Sequence, residues 1–145
     1  MSGKIRLTGD EIRYIALFES MTGAVVKDCI IDNKLDRVIF LVKAGDIGLA
    51  IGKHGSHIKL LRNMLKKNIE VIEYSDDPAM LIKNALAPAK VKDARITERA
   101  DGQKVAYVIV EPKDKGIAIG KNGRTAERTR FLVKKYFEID HVIIA

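Results

Sequence analysis

Apolar residues recur along the chain with two alternating periods. Tyr14, Leu17, Phe18 and Met21 fall at helical spacing, behind a Thr8 and Glu11 pair that fits a capping box. Two runs dense in apolar and β-branched residues follow, "AVVKDCIID" (24 to 32) and "RVIFLV" (37 to 42). Both read as strands, joined by the turn-forming "NKLD". Helical spacing returns with Ile58, Leu61, Met64 and Leu65, and "IEVIEY" (69 to 74) reads as a closing strand. The same order then begins again. Asp77 and Pro78 suit the cap and first turn of a helix that Pro88 ends. "KVKDARIT" (90 to 97) is a weaker strand closed by the Asp101-Gly102 turn, and "VAYVIV" (105 to 110) reads as a buried one. Leu132, Val133, Tyr136 and Phe137 mark a second long helix, and "IDHVIIA" (139 to 145) a last strand. Asp46 and Asp114 each stand six residues ahead of a glycine, where they would cap a short helix. The pattern predicts an α+β chain of two units, 5 to 75 and 76 to 145, each α-β-β-α-α-β. Almost no linker separates them, so the units are expected to pack together.

The two units are copies. "GLAIGKHG" (48 to 55) and "GIAIGKNG" (116 to 123) share six of eight residues at a fixed offset of 68. Charge follows the same repeat. Of a net +7, residues 52 to 67 carry +5 and residues 120 to 135 carry another +5, leaving −3 for the rest of the chain. Basicity concentrated behind two glycine motifs points to an anionic partner.

Gly52 and Gly55, like Gly120 and Gly123, sit between a short helix and a longer one. Glycines there permit a tight turn and a close approach of a phosphodiester to the backbone. The amino end of the following helix adds N–H groups and a positive dipole, and Lys53 and Lys121 add a charge at the loop tip. The alternative is a plain helix-to-helix turn. Repetition of the lysine, with a basic helix behind each copy, favours the anion site. Neither the nucleotide P-loop spacing nor the dinucleotide glycine fingerprint is present.

"AIGKHGSHIKLL" (50 to 61) resembles the core of a KH domain: two apolar residues, Gly-x-x-Gly, two further residues and an apolar one, here Ile58. The second copy departs at that last position, which is Ala126. An extra helix and strand ahead of the core resembles the prokaryotic, type II form of the fold. Two such domains in succession look like the KH pair of the NusA family of transcription factors. The few residues ahead of the first helix leave no room for the polymerase-binding and OB-fold domains of bacterial members, so the resemblance is to the archaeal form.

By that resemblance each domain clamps about four nucleotides of single-stranded RNA. Gly52, Lys53, His54 and Gly55, with Gly120, Lys121, Asn122 and Gly123, would be the two clamps. Ile47, Ile51 and Ile58 would floor one groove, and Ile117, Ile119 and Ala126 the other. Lys59, Arg62, Arg124 and Arg128 would reach phosphates or sugars, and His54 and His57 are candidate RNA contacts with no acid-base role assigned. If the clamps align, about eight or more nucleotides would lie on one track. The implied function is RNA binding in transcription termination and antitermination, with the nascent transcript as ligand and RNA polymerase as a further candidate partner. A ribosomal or ribosome-assembly protein bound to ribosomal RNA is the alternative of the same class. A protein module docking on the polymerase, with the glycines as mere turns, is the alternative of another.

Other classes are disfavoured. No nucleophile with a base, paired carboxylates or metal-ligand spacing points to an enzyme, and no cofactor or small-molecule substrate is expected. Cys29 is the single cysteine, and no apolar run approaches the length of a signal or membrane segment, which suits a cytoplasmic protein away from membranes. Aromatics are 6% of the chain with no tryptophan, which argues against a stacking platform for bases.

Overall fold

A computed structural model of the chain describes residues 9 to 145, which divide into two compact units at Tyr74 and Ser75. Thr8, half of the expected capping box, lies outside the described residues. The first unit runs α1 (Gly9–Thr22), β1 (Val26–Asp32), β2 (Arg37–Val42), α2 (Ile47–Ile51), α3 (Ser56–Leu65) and β3 (Asn68–Glu73). The second runs α4 (Pro78–Leu86), β4 (Val91–Glu98), β5 (Lys104–Val110), α5 (Lys115–Ile119), α6 (Arg124–Phe137) and β6 (His141–Ile144). A three-residue 3-10 turn joins α2 to α3, another joins α5 to α6, and a third precedes α5. Both units are thus α-β-β-α-α-β, the type II KH order.

Each unit holds one three-stranded sheet in chain order. The hairpin pairs antiparallel, with Cys29 opposite Phe40 in the first sheet and Ala94 opposite Val108 in the second. The third strand returns parallel to the second after the helical crossover, pairing Val38 with Ile69 and Ala106 with Val142. In the first unit Phe18 of α1 stacks on Phe40 of β2 at 4.2 Å, with Val38, Val42, Ala50, Leu61 and Ile69 around them. In the second, Leu81, Ile82, Ala85 and Leu86 of α4, Ala118 of α5, and Ala126, Thr129, Leu132 and Val133 of α6 are buried. Asp77 caps α4 by accepting from the Ala79 N–H at 3.1 Å, and Pro78 takes the first turn.

One expectation fails on packing. Met64, at helical spacing with the buried Leu61, is itself half-exposed on α3, but the departure from expectation is in β5. All six residues of β2 are buried, but in β5 Tyr107 and Ile109 are 43% and 47% exposed while Ala106, Val108 and Val110 are buried. An unbroken apolar run identifies a strand without fixing how many of its faces are covered.

The aspartates before the short helices also act differently from expectation. Asp46 and Asp114 occupy the cap positions of α2 and α5 but make no side-chain cap bond. Asp46 Oδ2 instead accepts from Val25 N–H at 2.9 Å, and Asp114 Oδ2 from Lys90 N–H at 2.9 Å. The carbonyls of the same two residues accept from Lys43 N–H and Glu111 N–H. One residue at the entry to each hairpin is therefore held from both sides by the segment that leads to the short helix. A β-bulge lies immediately beyond it in both sheets, at Val26/Asp28 and Val91/Asp93.

A buried ionic cluster fastens the first sheet. Arg37, 1% exposed, gives Nε to Asp32 Oδ2 at 2.9 Å and Nη1 to Glu70 Oε1 at 3.2 Å, joining all three strands. Burial pushes the Asp32 carboxyl up, but its bonds from the Arg37 guanidinium and the Leu35 N–H prevail and hold it below its ordinary 3.8. A carboxylate lowered on folding contributes stability above its unfolded value and loses it as pH falls through the folded one. Asp32→Asn is expected to cost about 1–3 kcal/mol at pH 7, seen as a lower urea midpoint. The difference from the parent should shrink below pH 3.8, where the parent carboxyl also takes up a proton.

Candidate nucleic-acid interface

The two glycine loops have the same backbone. Gly52 lies at φ 75°, ψ 169° and Gly120 at φ 80°, ψ 166°. The third loop residue is left-handed in both copies, His54 at φ 56°, ψ 29° and Asn122 at φ 57°, ψ 27°. Gly55 and Gly123 follow at φ 72° and 75°. Histidine and asparagine are among the few side chains that enter this region readily, so the one mismatch within the four-residue loop is two solutions to one backbone demand. His54 thereby gains a conformational role.

The first glycine faces a further constraint. A Cβ at Gly52 would lie 2.7 Å from His57 Cγ and 2.8 Å from Ser56 Oγ. At Gly120 it would meet Thr125 Oγ1 at 2.5 Å and the Thr125 backbone nitrogen at 2.8 Å. Gly55 and Gly123 have open space in that direction. His57 also donates from Nδ1 to Leu49 O at 2.8 Å, bracing the first turn of α3 against α2. Its place is structural, beneath the loop.

The loop takes up part of its own hydrogen-bonding capacity. Gly55 N–H bonds Gly52 O and Ser56 N–H bonds Lys53 O; Gly123 and Arg124 repeat both bonds with Gly120 and Lys121. These groups are therefore not the open amides that a helix start suggests. No side chain caps α3 or α6, however, and the dipole of each helix still points at its loop. Lys53 and Lys121 are exposed at the tips.

Around each loop the exposed apolar residues repeat. Ile51 and Ile119, one residue before the first glycine, are partly open, as are Leu49 and Ile117 at the preceding aligned position. Leu49 is missing from the sequence-derived groove, although the 68-residue offset that relates Ile51 to Ile119 also relates Leu49 to Ile117. Ile47 and Ile58 pack against the first core, and Ala126 is buried. Lys59 and Arg62 are exposed on α3. Arg124 is half-buried at the start of α6. Arg128 donates from Nη2 and Nε to Ala85 O at 2.8 and 3.2 Å, fastening α6 to the last turn of α4. That bond gives its guanidinium a structural task.

Substitution of the four glycines should separate strain from crowding. Gly55→Ala and Gly123→Ala carry only the left-handed penalty of about 1–2 kcal/mol. Gly52→Ala should cost more, and Gly120→Ala most, because a backbone nitrogen yields less than a side chain. Urea midpoints of the four variants give the order; equal losses would mean that the close approach is immaterial.

Comparison with known proteins sets these loops in context. The sequence pattern of the KH domain family matches residues 11–92, and that of the NusA-like second KH domain matches residues 78–144. The "Probable transcription termination protein NusA" of Halococcus morrhuae is 39% identical over 142 residues, covering 98% of this chain and 99% of that one. The protein of the same name from Methanocaldococcus jannaschii is 34% identical, covering 96% of this chain and 74% of its own. A crystal structure of the protein APE1850 superposes with a TM-score of 0.83 at 43% identity, covering 96% of this chain and all of that one.

Proposed function

The chain belongs to the NusA family of tandem KH proteins, and from that membership we propose that it binds single-stranded RNA in transcription termination and antitermination, one segment of the strand seated at each glycine loop. The observation that carries the reading is the duplicated loop: glycine, lysine, a left-handed residue and glycine with matching dihedral angles, ahead of a basic helix in both copies. A turn that served only to join two helices would not need an exposed lysine at the same place twice.

In this proposal Lys53 and Lys121 attract and neutralise phosphates at the loop tips. The bare first glycine lets the strand lie against the backbone, where an ordinary side chain would also collide with the long helix. Leu49 and Ile51, like Ile117 and Ile119, offer apolar contact to bases beside the loop, while Arg62 and Lys59 extend the positive field along α3. Ile47, Ile58, Ala126 and Arg128 support these surfaces from behind. The protein acts by binding rather than by catalysis, its RNA is the nascent transcript, and RNA polymerase is the protein partner that such a role implies. Relatives named for the same process support that assignment.

Gly55→Asp with Gly123→Asp is the discriminating variant, since both positions have room for a side chain and aspartate tolerates the left-handed backbone. Titrated against labelled single-stranded RNA, it should bind at least about tenfold more weakly than the parent, because a carboxylate then faces each phosphate at the clamp. Lys53→Ala with Lys121→Ala should lower the slope of log affinity against log salt by about two. Parent-like affinity in the aspartate variant, with an unchanged thermal midpoint, would overturn the assignment.

A further inference from the structure

The second unit carries an exposed aromatic ring that the glycine loop does not use. Phe131, on α6, is 48% exposed. It lines an open depression of about 690 Å³ together with Arg130, Lys134 and Lys135 of the same helix, Gln103 of the β4–β5 turn and His141 at the start of β6. Lys135 Nζ stands 6.0 Å from the ring centroid. The groups at the rim are held in place: Lys134 Nζ pairs with Asp140 Oδ1 at 2.5 Å, Arg130 Nη2 donates to Val142 O at 3.3 Å, and His141 Nε2 bonds Gln103 Oε1 at 2.9 Å. Three cations against the single carboxylate of Asp140 leave the depression positive.

We infer that Phe131 is a stacking seat for one base of single-stranded RNA, with Arg130, Lys134 and Lys135 positioned for the flanking phosphates. Every base has a π-face, so a half-exposed phenyl ring inside a ring of cations suits a nucleotide better than an apolar or cationic peptide. Arg130 and Phe131 lie on the exposed side of a helix that starts at the second loop. Phe131 is eight residues past Gly123, roughly 12 Å along the axis. A strand leaving that clamp along α6 would pass over the ring. The first unit has the cations, with Arg62, Lys66 and Lys67 aligned to Arg130, Lys134 and Lys135, but Asn63 where the phenylalanine stands. The seat is thus confined to the second domain and makes the two clamps unequal. The sparse aromatic content excludes a platform of several rings, but it is compatible with one.

The inference rests on RNA binding at the glycine loops, and its test keeps the two apart. In a Gly55→Asp background, where only the second clamp can act, affinity is measured for an RNA of about four nucleotides, the length one loop holds, and for one several nucleotides longer. Phe131→Leu should weaken the longer RNA about fivefold or more and leave the short one unchanged. Phe131→Tyr should restore the loss. Lys135→Ala should reduce the salt slope by about one, whereas Phe131→Leu should leave it alone. If Phe131→Leu binds both RNAs like its background while a further Gly123→Asp abolishes binding, the clamp stands and the stacking seat is overturned, with protein contact the remaining use of the ring. If adding Gly123→Asp changes nothing, the reading of the loops themselves has failed.

Discussion

No side chain fits at Gly52 or Gly120, and most of the geometry of each unit follows from that. The short helix and the long one approach so closely at these positions that a Cβ would press on the first turn of the long helix, at His57 and Ser56 or at Thr125. The approach in turn requires the chain to reverse within four residues. That reversal puts three of the four loop residues at positive φ, two of them glycines and the third a histidine or an asparagine. The lysine is exposed at the tip, with Leu49 and Ile51 of α2 or Ile117 and Ile119 of α5 partly open beside it. A binding surface and a packing constraint are thus the same few residues, and changing the first glycine disturbs both.

Repetition of this device does not make the domains equivalent. The ionic cluster of Asp32, Arg37 and Glu70 belongs to the first sheet alone, since Val105 stands at the position aligned with Arg37. Helix α6 runs 14 residues against 10 for α3. In the second unit the extra length carries the helix to the turn at Glu138, next to Asp140 and the cations of the Phe131 depression. Arg128 ties α6 to α4 through the Ala85 carbonyl, whereas the aligned residue of the first unit is Leu60, which is half-exposed. The two copies therefore keep one loop on differently built supports.

Much of this was legible in the sequence because periodicity reports directly on backbone class. Element order, the capping of α4 by Asp77 and the paired loops follow from spacing and from residues with restricted conformations. What spacing could not supply was the direction of individual side chains. Asp46 and Asp114 sit where caps belong, yet their carboxylates reach a strand more than twenty residues earlier, a partner that no local pattern reveals. "VAYVIV" has the composition of a fully buried strand but leaves one face partly open. Arg128 and Arg62 look alike in sequence; one meets a helix carbonyl and the other faces solvent. Leu49 could have been found from the repeat itself, by carrying the offset two residues further upstream.

The tie between Asp46 or Asp114 and the entry of its hairpin has a bearing on how such a chain can change length. Val25 and Lys90, the residues held, are 65 apart, while the loop glycines are 68 apart. The three additional residues of the second copy lie in its hairpin, which gains one more cross-strand step and a longer turn. The glycine loop is unaltered by them. Because the base of the hairpin is anchored to the segment leading into the short helix, its tip is mechanically insulated from the loop. Insertions there are a place where members of such a lineage can diverge without retuning their grip on a ligand.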